Sequence, residues 1–208
     1  MIIESLLHDF KGELRDLKII LEDNQKLESP ILFQLGMMDE MLLGLEDFYS
    51  LCEKELKKET FDFFPICHCC FEKVKERSPS RNINFEINVK DSSKNASSLF
   101  HGDSELIMKA MSFLFENSFK FTKNESKALI RLGEEKVNGK NTFYLYNNGP
   151  SLLNDVDIFK LFYGKRSHHE DAGLGLGLPF SKVIFEKHGG DLWAKNLDKG
   201  GVKFYFRF

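Results

Sequence analysis

The sequence predicts an α+β protein: an N-terminal antiparallel helical hairpin, which pairs with a second copy as a four-helix bundle, followed by an α/β sandwich whose mixed sheet is covered on one face by helices. Three observations predict it. Two long segments near the start carry apolar residues at alternating spacings of four and three. From Thr60 onward that seam gives way to short runs with strand-like alternation. These strands mix with helices without a strict βαβ alternation, which points to α+β layering. The hairpin is assigned residues 1–59 and the sandwich residues 60–208.

In the first helix the seam is Ile3, Leu7, Phe10, Leu14, Leu17 and Leu21, and it lapses at Glu22-Asp23-Asn24-Gln25. So narrow a stripe suits helix-on-helix packing. Ser29 reads as the N-cap of a second helix, with Pro30 at its first position. The second seam is Ile31, Leu35, Met38, Leu42, Leu45, Tyr49, Cys52 and Leu56. A short connection between the two makes an antiparallel hairpin. One hairpin cannot bury both seams, so a homodimer is expected.

Beyond Thr60, Cys67, Cys70, Phe71 and Val74 recur at helical spacing. The run Cys67-His68-Cys69-Cys70 invites a metal reading, but one helical turn cannot aim four ligands at a single point. Free Cys packs as a small hydrophobe, so a core role is expected. Residues 81–90 alternate as a strand, with Ile83, Phe85, Ile87 and Val89 on one face. Residues 103–121 read as a helix facing inward through Leu106, Ala110, Phe113, Leu114 and Ser118. Strands are expected at 128–132 and 142–146, and a polar, irregular stretch at 150–172. A helix over 178–188, stopped by Gly189-Gly190, precedes strands at 192–195 and 202–208.

Composition excludes several classes. The formal net charge is −3, with Lys and Arg scattered among acidic residues, so nucleic-acid binding is not expected. No run approaches the roughly 20 apolar residues of a membrane span, and the start has no basic n-region of a signal peptide. A cytoplasmic protein with reduced thiols is expected.

The chemistry-bearing motifs lie in the C-terminal half. Gly173-Leu174-Gly175-Leu176-Gly177-Leu178 opens a helix. Glycines there let backbone approach a ligand, and the helix N-terminus offers N–H groups to an anion. Upstream, Asn117 and Lys120 sit one turn apart on one helix, a carboxamide able to hold Mg²⁺ and an ammonium able to meet phosphate. Asn147-Asn148-Gly149-Pro150 ends a strand in a turn, and Ile158-Phe159-Lys160-Leu161-Phe162-Tyr163 follows it.

In this order the segments resemble the N, G1, F and G2 boxes of the GHKL ATPase superfamily, in particular its sensor histidine kinases. The resemblance runs from about Asp103 to Phe208 and includes the ending His188-Gly189-Gly190-Asp191-Leu192-Trp193. It implies ATP and Mg²⁺ as cofactors, with Asn117 as the metal ligand, Lys120 on a phosphate and Phe121 against the adenine. Gly149 would let the backbone approach the base, and Gly173, Gly175 and Gly177 would wrap the triphosphate. Residues 151–172 would form a lid anchored by Phe159 and Phe162, with Lys165 and Arg166 within it. Three positions depart from the family. Asn147 stands where an Asp usually meets the adenine amino group, an exchange that costs about 1–2 kcal/mol. Ser151 replaces the second Gly of that box. Phe113 opens the N box where a polar residue is usual, which argues against the water-splitting members.

In the hairpin, Leu7-His8-Asp9-Phe10-Lys11-Gly12-Glu13-Leu14 resembles the H box of histidine kinases. A neutral imidazole can attack a γ-phosphate, Asp9 can orient or take up the ring proton, and Lys11 can offset charge on the phosphoryl group. Gly12 and Glu13 replace the Thr or Asn and the Pro common there. The resemblance implies a histidine autokinase that phosphorylates His8 from ATP and passes the phosphoryl group to the receiver domain of a response regulator, with input from a separate sensor protein. The alternative is a non-catalytic histidine phosphotransfer protein with a vestigial ATP site, favoured by Asn147, Ser151 and Phe113.

Overall fold

The protein is seen here as a computed structural model, which describes residues 7, 10–12, 14–19, 29–77, 82–88, 99–122, 128–153, 157–163 and 174–208. Residues 14–19 are helical. Then follow α1 (Ser29–Glu53), β1 (Glu59–Asp62), α2 (Phe63–Arg77), β2 (Asn84–Asn88), β3 (Leu99–Gly102), α3 (Ser104–Phe121), β4 (Leu129–Val137), β5 (Lys140–Asn147), α4 (Gly177–Lys187), β6 (Asp191–Asn196) and β7 (Val202–Arg207).

The main sheet runs β2-β4-β5-β7-β6, with β2 parallel to β4 and the remaining pairs antiparallel. A mixed sheet was expected, and strand alternation explains why helices cover one face. Ile130, Leu132, Leu145, Phe204 and Phe206 point the same way and are buried against α3 and α4. On the opposite face Trp193 stacks on Tyr205 at 5.3 Å, and Glu135 accepts hydrogen bonds from Tyr205 Oη and Lys203 Nζ, each at 2.6 Å. That face is aromatic and charged rather than aliphatic, so no helix is needed over it.

Helix α2 and the small antiparallel pair β1-β3 close the far end of the core. Phe63 sits there among Phe100, Phe143, Phe206 and Phe208, with ring centroids 5.2–5.8 Å apart. Cys67 and Cys70 are buried in the same layer, and burial pushes both thiols up. They pack as the helical spacing predicted. At the other end, Lys11 pairs with Glu46 of α1 and Lys18 with Asp39.

Three expectations need correction. The second seam was extended to Leu56, but α1 ends at Glu53 and residues 54–58 form an irregular link. The strand expected at 128–132 continues to Val137, where Asn138 (φ 51°) and Gly139 (φ 76°) turn it into β5. Both residues take the left-handed conformation that a tight hairpin needs, an Asn-Gly signal legible in the sequence. The strand expected over 81–90 is described only as β2, and its Ile87 is exposed while Ile83, just before it, is buried.

Candidate functional site

Helix α3 supplies the first half of the site. Asp103 caps it: Oδ1 accepts the Leu106 N–H and Oδ2 accepts the Lys57 N–H, each at 3.0 Å. Burial alone would raise this carboxyl, but those two N–H groups and the charge of Lys54 hold it below its ordinary value. The capped helix presents Asn117, Lys120 and Phe121 half-buried on its last turns. Lys120 Nζ stands 5.3 Å from the centre of the Phe121 ring. Ser118 and Thr122 face inward, and the Ser118 hydroxyl is buried with no hydrogen-bond partner.

Strand β5 ends beside them. Asn147 lies in the core-facing row opposite Ile130 and Val202 and is almost fully buried. Its Oδ1 accepts the Gly149 N–H at 3.1 Å. A Cβ on Gly149 would stand 2.1 Å from the Phe121 carbonyl oxygen, so the turn after β5 rests directly on the end of α3. Asn148 ties the same turn to β4 by accepting the Leu129 N–H at 3.0 Å.

The phosphate half lies at the start of α4. Gly175 takes φ 72°, and its carbonyl accepts the N–H of Phe162, which is itself held at φ 61°. The N-cap, Leu176, has no side-chain acceptor for the first-turn amides. Those amides have no intrahelical partner, which leaves them available to an anion. Phe113 joins the two halves. Its ring stands 5.8 Å from Phe180, and a Cβ on Gly177 would approach it to 3.2 Å.

Contacts around the site hold it to the rest of the chain. Asp157 Oδ1 accepts the Phe159 N–H at 3.0 Å, and Lys182 Nζ lies 5.2 Å above the Phe159 ring. Leu176 seats its Cδ1 on α1 at Gly44, where a Cβ would come within 2.2 Å. Phe48 of α1 meets Phe180 of α4 edge-to-face at 5.3 Å, and Lys187 donates to the Cys52 carbonyl at 2.6 Å.

The structure thus brings Asn117, Lys120, Phe121, Asn147 and Gly149 together at one end of α3, with Gly175 and Gly177 at the start of α4. Lys11 lies apart from them, on Glu46. His8, Asp9, Gly173, Lys165 and Arg166 lie outside the described residues. Two supporting groups were given no role by the sequence. Asn196 holds Leu152, and His188 holds the start of α3, its Nε2 accepting the Asp103 N–H at 3.0 Å. His188 Nδ1 meets the Ile184 carbonyl at 2.7 Å, which places a ring hydrogen on Nδ1 while Nε2 accepts. Gly102 was the available signal for His188, since a Cβ there would stand 2.6 Å from the ring.

These residues fit a nucleoside triphosphate: uncapped helix amides for phosphate, a carboxamide for a metal shared with that phosphate, and the buried polar side chains of Asn147 and Ser118 for a base. Among the described residues no group of three or more His, Cys, Asp or Glu converges as a self-sufficient metal cage. A cation here would therefore be shared with phosphate and water, as Mg²⁺ usually is.

Fold and site define an ATPase domain of the GHKL type. The chain belongs to the histidine kinase-, DNA gyrase B- and HSP90-like ATPase family, whose model matches residues 102–208. It is 33% identical over 120 residues to the sensor protein ChvG of Rhizobium meliloti, covering 55% of this chain and 20% of ChvG. Similarity to the adaptive-response sensory kinase SasA of Synechocystis reaches further, 23% identity over 203 residues, 93% of this chain and 51% of SasA. Full-length ShkA, solved in complex with AMPPNP, superposes with a TM-score of 0.65 at 20% identity, over 98% of this chain and 44% of ShkA. The chain spans between a fifth and a half of these two curated relatives. No helix among the described residues is long and apolar enough to cross a membrane.

Proposed function

We infer that this chain is the catalytic core of a cytoplasmic two-component histidine autokinase, in which residues 1–59 form a dimerising phosphotransfer hairpin and residues 60–208 bind Mg²⁺ and ATP. One observation carries the reading: the glycine run and the H-box segment both contact α1 within one turn of each other, on different faces of it. Leu176 of the run rests on Gly44, and Lys11, three residues after His8, pairs with Glu46. The start of α4 therefore packs on the same helix that pairs with the H-box segment.

The hairpin reading draws support from the order of its ion pairs. Lys11 meets Glu46 and Lys18 meets Asp39, so the first segment advances as α1 runs back, an antiparallel register. Its unburied seam supports a homodimer: Ile31, Met38, Phe10 and Leu17 are all at least 43% exposed. A second copy covering these would complete a four-helix bundle. In this reading Asn117 ligands Mg²⁺, Lys120 meets a phosphate, Phe121 and Asn147 line the base, and Gly173, Gly175 and Gly177 wrap the phosphates. ShkA, solved with AMPPNP, and the two sensory kinases support ATP as the phosphoryl donor. His8 attacks the γ-phosphorus as its bond to the β–γ bridging oxygen breaks and ADP leaves, Asp9 orients the ring, and the phosphoryl group then passes to an aspartate of a response-regulator receiver domain, freeing His8.

The test is incubation with γ-labelled ATP and Mg²⁺, comparing the parent with His8→Gln and Asn117→Ala. Acid-labile label lost in both variants is the expected result. A parent that stays unlabelled, yet takes phosphate on His8 from a phosphorylated receiver domain, replaces this reading with a phosphotransfer module whose ATP site is vestigial. Phe113 against Gly177 is the observation that favours that second reading.

A further inference from the structure

The carboxamide of Asn147 is fixed in one orientation. Gly149 N–H is a donor, so only the oxygen of Asn147 can face it, and it does so at 3.1 Å. A carboxylate at this position would present a second oxygen on its other branch. Asn147 presents an NH₂ group there, a donor in place of an acceptor. This polarity is set by the turn itself, because Gly149 is pinned against the Phe121 carbonyl and cannot withdraw its amide.

A second observation comes from α3. Ser118 lies between Asn117 and Phe121 and is fully buried, and its hydroxyl is the one buried hydroxyl without a partner among the described residues. Its carbonyl is already taken by the Thr122 N–H at 2.9 Å, but the side chain is left over. A buried hydroxyl is normally satisfied, by protein, water or ligand. A hydroxyl serves as donor or acceptor, so it complements whichever edge the base presents.

We propose that Asn147 and Ser118 make this a site tolerant of 6-oxopurine nucleoside triphosphates, the inosine and guanosine class, alongside ATP. The proposal rests on the reading of this site as a purine-nucleotide site and deepens it. Adenine offers an amino group at C6, which faces the Asn147 NH₂ donor to donor. A 6-oxopurine offers an acceptor at the same place and an N1–H donor beside it. The Asn147 NH₂ donates to O6, and the Ser118 hydroxyl accepts from N1–H directly or through one water. Between ATP and ITP nothing else changes, so the phosphate contacts are common to both ligands.

The experiment is calorimetric titration of the full chain with Mg·ATP and Mg·ITP, followed by Asn147→Asp and Ser118→Ala. The ratio of the two affinities within one protein cancels any loss of folded fraction. The parent is expected to bind Mg·ITP at least as tightly as Mg·ATP, and Asn147→Asp to move the ratio about tenfold or more toward ATP. Ser118→Ala is expected to weaken both nucleotides, since the hydroxyl serves either edge, and to leave their ratio near the parent's. A parent that prefers ATP by about tenfold overturns the proposal while leaving the kinase reading intact. An Asn147→Asp ratio equal to the parent's does the same. Should Asn147→Asp not fold, the parent ratio alone decides. A parent that binds neither nucleotide overturns the nucleotide-site reading and this proposal with it.

Discussion

Asn196 on β6 grips Leu152 with both ends of its carboxamide: Oδ1 accepts the Leu152 N–H at 2.7 Å, and Nδ2 donates to the Leu152 carbonyl at 2.9 Å. The side chain does what a neighbouring strand would do for one residue. It does so at β6, the edge of the sheet, where the segment after the G1 turn would otherwise leave both backbone groups to water. A cavity of about 270 Å³ lined by Leu152, Phe159, Trp193 and Ala194 opens beside this clamp. The start of the irregular stretch is thus tied to the sheet at one residue.

Replacing Asn196 by Ala removes two hydrogen bonds, each contributing about 0.5–1.5 kcal/mol. Local opening at Leu152 then becomes roughly 5- to 150-fold more frequent, while the sheet stays intact. Hydrogen exchange of the peptide spanning Leu152 should accelerate by that factor. Equal exchange rates would mean that other contacts hold the segment.

Gly149 and Gly139 separate two reasons for a glycine. Gly139 has φ 76° and open space around it, whereas Gly149 is crowded, with the Phe121 carbonyl 2.1 Å from any Cβ. Gly139→Ala costs only the left-handed backbone, about 1–2 kcal/mol. Gly149→Ala must push α3 away from the turn, about 3 kcal/mol or more, because backbone cannot rotate aside. Thermal unfolding should show a markedly larger fall for Gly149→Ala, at about 2–4 °C per kcal/mol for a chain of this size. A similar fall for both would show that α3 yields easily.

Asp103 gives a pH signature with a definite sign. Its carboxyl is held below its ordinary value, so it contributes stability that is present above the unfolded value of about 3.9 and is lost as pH falls through the lower folded value. Asp103→Asn keeps one oxygen for two amides, Leu106 and Lys57, and should cost about 1 kcal/mol at neutral pH. The gap between parent and variant melting temperatures should be steady at pH 5–7 and close below about pH 4. A gap that persists in acid would assign the cap's contribution to shape rather than charge.

Much of this fold was legible because its elements are strongly periodic. The α3 face of Leu106, Ala110, Leu114 and Ser118 is buried as spacing predicted, and the ends of α4, β6 and β7 fall within a residue or two of expectation. Asn117, Asn147, Gly149, Gly175 and Gly177 were singled out by the order of the boxes they resemble, which none of them announces alone. Asn196 and His188 were not, because their partners Leu152 and Asp103 lie 44 and 85 residues away. Nothing in the sequence near either residue encodes that meeting. Strands β1 and β3 were missed for a related reason. Each has four residues with little alternation, and they exist because they pair with each other. The polarity of Asn147 also needed the structure, since only the Gly149 N–H tells which end of the amide faces inward.

Phe113 is where packing and chemistry compete. It stands one turn before Asn117, and its ring fills the space between α3 and Gly177 at the start of α4. Phe113→Asn gives up about 1–2 kcal/mol of apolar burial, since the ring is only half-buried, and lowers the melting temperature accordingly. It also places a second carboxamide oxygen on the face that carries Asn117, beside the helix amides that would hold phosphate. If Asn117 is a Mg²⁺ ligand, that oxygen adds to the same ion and should tighten Mg·ATP binding about tenfold. The decisive comparison is titration with and without Mg²⁺. A gain seen only with Mg²⁺ assigns residue 113 to the metal. A gain that survives chelation shows that removing the ring merely opened the pocket, and no gain at all places the metal away from this end of α3.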